Sequence, residues 1–251
     1  MSFSKNQDPR VEKLISEALD GIAAAFAASP ESSSVRAVVL GGGYGRGEGG
    51  ATPDGMPYND LDFFVVMKGS RPSAGLRKLL DSIAAEWGPK LAIDIDFCCV
   101  DSVRALCKDA ATLMIQELFA GGIVVFGDRD VFRDVPVLPF SEIPWTEGAR
   151  LLLNRGAGLL FARQRRDDPS QADFVRRNIH KAALGCGDAI LVVHHDYRRT
   201  GPERLEALDG IAAAFAASPE SSAVRAVVLG GGYGRGVGGA TPDGMPYNDL
   251  D

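Results

Sequence analysis

Two apolar runs rich in β-branched residues, Val35 to Leu40 and Asp60 to Met67, follow one another through a glycine-rich segment with no helical period between them. Strands joined directly pair antiparallel, whereas parallel neighbours need a crossover of a dozen or more residues, so few sheets can hold this pair. The surrounding pattern alternates between helix and strand. Val11, Leu14, Ile15, Ala18, Leu19, Ile22 and Phe26 form one helical stripe that stops at Ser29-Pro30. Leu76, Leu79, Leu80, Ile83 and Trp87 predict a helix over 73–87, and Leu91 to Val100 a third strand. Ala110 to Phe119 reads as a helix and Gly121 to Gly127 as a fourth short strand. This order predicts an α/β domain with a small mixed sheet.

Pro136, Pro139 and Pro144 interrupt the pattern, after which 146–165 and 171–198 both keep a helical period. A helical second domain follows, so the expected division is 1–140, 141–205 and a final segment 206–251. That last segment repeats residues 17–62 with two differences, Ala223 standing for Ser34 and Val237 for Glu48. Such near-identity marks a recent or artificial duplication. The second copy reaches Asp251 without residues equivalent to Phe63 to Met67 and without a third strand, so it is expected to be an inactive echo. The two copies compete for one place in the sheet, and the first should hold it because its second strand is complete. A helix over Glu203 to Ala217 is expected to pack on the helical domain.

Composition narrows the functional classes. Of 251 residues, 45% are hydrophobic and 24% charged, which suits a globular protein and argues against disorder. The net charge of −6 disfavours a broad surface for long nucleic acid. Cys98, Cys99, Cys107 and Cys186 show no Cys-x-x-Cys spacing and read as buried reduced thiols, which points to the cytoplasm. The first residues lack a signal-peptide core, and no run has the length of a membrane span.

The chemistry centres on the glycine segment Gly41-Gly42-Gly43-Tyr44-Gly45-Arg46-Gly47 and the pair Asp60 and Asp62. Alternate strand residues share a face, so the two carboxylates point the same way, roughly 7 Å apart along the strand. They repel unless a cation lies between them, and all-oxygen ligation favours Mg²⁺ or Mn²⁺. Asp94 and Asp96 repeat the spacing on the third strand and offer a third carboxylate to the same site. Three carboxylates holding two divalent ions suit displacement at phosphorus. Glycines without Cβ atoms let the backbone approach phosphate oxygens, and Arg46 could add a charge.

Gly42-Gly43-Tyr44-Gly45-Arg46-Gly47 followed by Asn59-Asp60-Leu61-Asp62-Phe63 resembles the glycine loop and Asp-x-Asp strand of the DNA polymerase beta-like nucleotidyltransferase superfamily. Its members include the aminoglycoside and the minimal nucleotidyltransferases. The likeness covers roughly residues 35–127. It implies a nucleotidyltransferase fold followed by a helical domain, and metal-dependent transfer of a nucleoside monophosphate from an NTP to a hydroxyl of a small molecule or protein. Carried over, Asp60, Asp62 and Asp96 are the catalytic metal ligands, with Asp94 the competing third carboxylate. Gly42 and Gly43 cradle the triphosphate. Gly43 stands where many members have Ser, which leaves the backbone donor alone. Lys181, on a basic helix face with Arg176, Arg177 and His180, is the candidate for a triphosphate contact from the helical domain. The alternative from another class is an inactive nucleotide-binding or toxin–antitoxin-type interaction protein of the same fold.

Other motifs carry less. A glycine run alone can be a turn, and an Asp-x-Asp alone an exposed edge. Gly45 to Gly50 fits the dinucleotide-binding glycine pattern, but no helical pattern follows it. His194-His195-Asp196 lacks a second ligand cluster and reads as a solvated face.

Overall fold

The computed structural model describes residues 2–69, 71–217, 239–240 and 246–247, and divides the chain into compact units at Met1–Leu138 and Pro139–Asp251. In the first unit, helix α1 (Pro9–Ala28) starts at Asp8, whose carboxylate accepts the N–H groups of Arg10 and Val11, with Pro9 in the first turn. Its buried stripe is Val11, Ile15, Ala18, Leu19, Ile22 and Phe26. Strand β1 (Val35–Leu40) leads into a short helix α2 (Gly42–Arg46) and a hairpin of β2 (Gly50–Ala51) and β3 (Pro57–Tyr58). Strand β4 (Asp60–Met67), helix α3 (Ala74–Leu91), strand β5 (Asp94–Val100), helices α4 (Val103–Lys108) and α5 (Leu113–Gly121) and strand β6 (Ile123–Gly127) complete the unit.

The sheet order is β5-β4-β1-β6, with β1 antiparallel to β4 and β6 and β4 parallel to β5. It is the mixed α/β arrangement expected. The direct β1 to β4 link is antiparallel and the parallel step is bridged by α3, as strand connections require. Side-chain alternation splits the core in two. Leu61, Phe63, Val65 and Met67 of β4 pack with α1 and α3, while Phe64 and Val66 pack with residues of α4 and α5. Asp60 and Asp62 have the parity of Phe64 and Val66, so they continue the α5 side of the sheet beyond its apolar cover.

Several boundaries differ from expectation for local reasons. The glycine segment, expected as a loop, contains the single helical turn α2. Strand β5 starts at Asp94 rather than Leu91, because α3 keeps its buried stripe to Leu91 and closes with Ala92 left-handed at φ 56°. The helix expected over 110–119 is α5, starting at Leu113 under a Thr112 cap, and α4 precedes it where no helix was expected, the Ser102 and Thr112 side chains accepting the N–H groups of Ala105 and Ile115. The cysteines are free but not buried: Cys98 and Cys186 are exposed and Cys99 and Cys107 half-buried. For Cys98 the reason is that β5 is an edge strand.

The second unit contains helices α6 (Trp145–Arg165), α7 (Ala172–Val193) and α8 (Gly201–Ala217). α6 and α7 pack as an antiparallel pair, with a Cβ at Gly148 reaching 3.1 Å from the Ala189 carbonyl and one at Gly158 2.6 Å from Asn178 Oδ1. α8 packs on α7 through buried Leu208, which approaches Gly187, so the helix expected at the start of the repeat is present. It crosses the boundary expected at 205/206. A two-residue ladder, β7 (Gly239–Ala240) with β8 (Pro246–Tyr247), repeats the pairing of β2 with β3. The repeat's strand run and its acidic pair, Asp249 and Asp251, lie outside the described residues. No helix among the described residues is long and apolar enough to cross a membrane.

Candidate metal centre

The parallel pairing of β4 with β5 sets Asp60 opposite Asp94 and Asp62 opposite Asp96. Asp60, Asp62 and Asp96 converge, one carboxylate oxygen from each lying within 4.8 Å of the others. Asp94 is not part of this cluster. The open alternatives for the third carboxylate therefore separate geometrically in favour of Asp96. Asp60 and Asp62 are half-buried and Asp96 is exposed. Three like charges at this separation repel, and a bound divalent cation would relieve that repulsion. The donor set is all carboxylate oxygen, which fits a hard cation.

The glycine segment is built against these acids. Gly41 N–H donates to the Asp62 carbonyl at 2.8 Å, fixing the end of β1 to β4. Gly42 is left-handed at φ 61°, and a Cβ there would overlap the Asp62 carboxylate, so glycine meets both a backbone and a steric requirement. The first intrahelical bond of α2 runs from Gly45 N–H to the Gly41 carbonyl at 2.9 Å, so the N–H groups of Gly42 and Gly43 precede it.

Two positioning residues were not singled out by the sequence. Tyr44 is buried, and its hydroxyl lies 2.7 Å from the Gly50 carbonyl and 3.1 Å from the Tyr58 carbonyl as donor, while accepting Tyr58 N–H at 2.8 Å. This one oxygen ties α2 to both strands of the β2/β3 hairpin. Burial pushes the Tyr44 phenol up to about 12, against a lowering bond from the Tyr58 backbone and with a further push from the Asp60 charge. Asn59 adopts φ 88° and its amide donates to the Asp60 carboxylate. Its sequence signal was the residue type, since Asn tolerates left-handed backbone better than most. Cys98 sits beside the cluster, its thiol pushed up by partial burial and then by the Asp62 charge, which disfavours the nucleophilic thiolate.

The remaining candidates have settings of their own. Arg46, only 17% exposed, pairs with Glu48 at 3.4 Å and Glu117 at 3.6 Å and so clamps α2 to α5. Any phosphate contact would compete with those pairs. Lys181 is half-buried on α7 in the second unit, where Arg176 and Arg177 pair with Asp173 at 2.7 and 2.9 Å. His195 Nδ1 lies 2.9 Å from the Ser141 carbonyl, a bond that ties the end of α7 to the turn before α6. Among the described residues, Asp60, Asp62 and Asp96 are the one group of His, Cys, Asp or Glu side chains arranged to hold a metal ion. Comparison with known proteins returns no counterpart: no family model, no curated protein and no solved structure matches this chain.

Proposed function

We propose that this chain is a metal-dependent nucleotidyltransferase, moving a nucleoside monophosphate from an NTP to a hydroxyl of a small molecule or protein side chain. The observation that carries the reading is the convergence of Asp60, Asp62 and Asp96 from two parallel neighbouring strands, beside a left-handed Gly42 packed against Asp62. Asp60, Asp62 and Asp96 would hold the ions, Mg²⁺ or Mn²⁺ by donor chemistry. Bound there, divalent cations supply charge neutralisation at phosphorus and on the departing pyrophosphate. Gly42 and Gly43 offer backbone N–H groups to phosphate oxygens. Asp96, the most open carboxylate, accepts the acceptor hydroxyl proton as its oxygen bonds to the α-phosphorus and the bond to pyrophosphate breaks. Lys181 is proposed as a triphosphate contact from the helical domain.

The test is pyrophosphate release from each NTP with Mg²⁺ across a panel of hydroxylated acceptors. Asp60→Asn and Asp62→Asn are expected to lower the rate at least 1,000-fold with the fold retained, since each removes charge from a set acting as a unit. Nucleotide binding without release throughout the panel would replace this reading with that of a binding module. Lys181→Ala is expected to raise the KM for NTP, and an unchanged KM would remove Lys181 from the site.

A further inference from the structure

Helix α6 carries two apolar faces. One packs on α7 through Gly148, Arg155, Gly158 and Ala162, the glycines admitting the backbone and side chains of α7 and Arg155 lying over Gly185. The other is open. Trp145, Ala149, Leu152, Gly156 and Leu159 recur at alternating intervals of four and three residues, and with Leu153 and Leu160 they occupy about 120° of the helix circumference. Trp145 is 62%, Leu153 77% and Leu160 63% exposed. Ile179, Ile190 and Val193 of α7 are exposed too. Because the two helices run antiparallel, their stripe turns to the same side as that of α6. A contiguous apolar face of this kind marks an interaction surface.

We propose that this face joins two copies of the chain in a twofold dimer, with α6 packed antiparallel on α6 of the second copy. The stripe names its own partner. Its intervals from Trp145 to Arg163 read four, three, four, three, four in both directions, so the pattern superposes on itself when reversed. Reversal about residue 154 sets Leu152 of one copy over Gly156 of the other and Leu159 over Ala149, large against small at these two levels. Trp145 then meets Arg163, a ring against a guanidinium. A twofold interface is isologous, and with the axis perpendicular to α6 this stripe sets large residues over small ones, whereas a parallel pair would set like over like. The two-helix face measures about 27 Å by about 20 Å from helix rise and spacing. With side-chain relief, that is on the order of the ~800 Å² per partner buried in stable interfaces. Two such hairpins facing one another complete a four-helix arrangement.

Sedimentation equilibrium of the full chain from about 1 to about 100 μM tests the proposal. A concentration-dependent species of twice 26.6 kDa is expected. A Cβ at Gly156 meets nothing within 4 Å, so Gly156→Leu should leave the monomer's helicity and melting intact or improved while weakening the dimer at least 10-fold. Leu152→Glu should weaken it similarly. The double variant Leu152→Ala with Gly156→Leu exchanges large and small at one level and should restore the dimer. A monomer throughout the range overturns the proposal, as does a dimer indifferent to Gly156→Leu and Leu152→Glu. Failure of the double variant to recover overturns the pairing about residue 154. A monomer that instead partitions onto phosphatidylcholine vesicles would assign the face to lipid.

Discussion

Gly42 and Tyr44 show how single residues hold the acidic cluster together. Gly42→Ala would place a left-handed alanine at a cost of about 1–2 kcal/mol and drive a methyl into the Asp62 carboxylate. A lowered melting temperature together with weaker Mn²⁺ binding by titration calorimetry is expected, whereas an outward-facing Gly69→Ala should leave Mn²⁺ binding unchanged, a Cβ there meeting nothing within 4 Å. Tyr44→Phe removes the shared hydroxyl and leaves half-buried backbone groups of Gly50 and Tyr58 without that bond, a loss of about 1 kcal/mol. The same residue carries a pH signature. With its folded pKa pushed up to about 12, above the ordinary value near 10, its contribution is full below about pH 10 and is lost as pH rises toward 12. Alkaline unfolding curves should therefore be steeper for the native chain than for Tyr44→Phe over that window.

Helix α1 and helix α8 contain the same twelve residues from Glu17 and Glu206 onward, in different surroundings. Ile22 is fully buried in α1, while its counterpart Ile211 in α8 is only half-buried. The difference begins before the shared residues. α1 is anchored by Glu12, whose carboxylate accepts Phe3 N–H at 2.8 Å, Ser4 N–H at 2.8 Å and the Ser4 hydroxyl at 2.6 Å. Partial burial opposes ionisation of Glu12, but these bonds outweigh it and hold the carboxyl below its usual range. Its contribution is present above the ordinary glutamate pKa and fades as pH falls through the depressed value. α8 instead begins with Arg204, buried between Asp188 at 3.5 Å and the ring of Tyr197. Asp188→Ala should destabilise the helical unit by about 3–5 kcal/mol by leaving Arg204 buried without that carboxylate. Circular dichroism melts of the isolated unit and of the full chain would both show it.

Across the whole molecule, the sheet, both of its cores and the acidic cluster belong to the unit Met1–Leu138. Residues 1–138 are therefore expected to fold alone and to bind Mn²⁺ as the full chain does. Removing 218–251 should leave the melting of the first unit and its metal affinity unchanged, because every strand of the four-stranded sheet comes from residues 35–127. Collapse of the first unit on that truncation would show that the repeat contributes to it. The repeat also differs at a position that matters in the first copy: Glu48, which pairs with Arg46, is replaced by Val237, so the second copy cannot make the equivalent ion pair.

Periodicity alone laid out the long helices, the four sheet strands and the antiparallel link through the glycines, because apolar spacing follows the repeat of each element, while the short helices α2 and α4 gave no such signal. The residue types Asp60, Asp62 and Gly42 likewise pointed to the acidic cluster, since few local roles need carboxylates two apart on a strand after such a loop. The choice between Asp94 and Asp96 was not legible, because both share one strand face and their reach depends on the neighbouring strand's position and the carboxylate directions. The engagement of Arg46 by Glu117 was hidden for a similar reason, as the two lie on helices whose approach no local pattern encodes. Exposure of Cys98 followed from β5 taking the sheet edge. Local propensity and alternation act within a few residues, whereas register, edge position and ion pairing are set by elements distant in the chain.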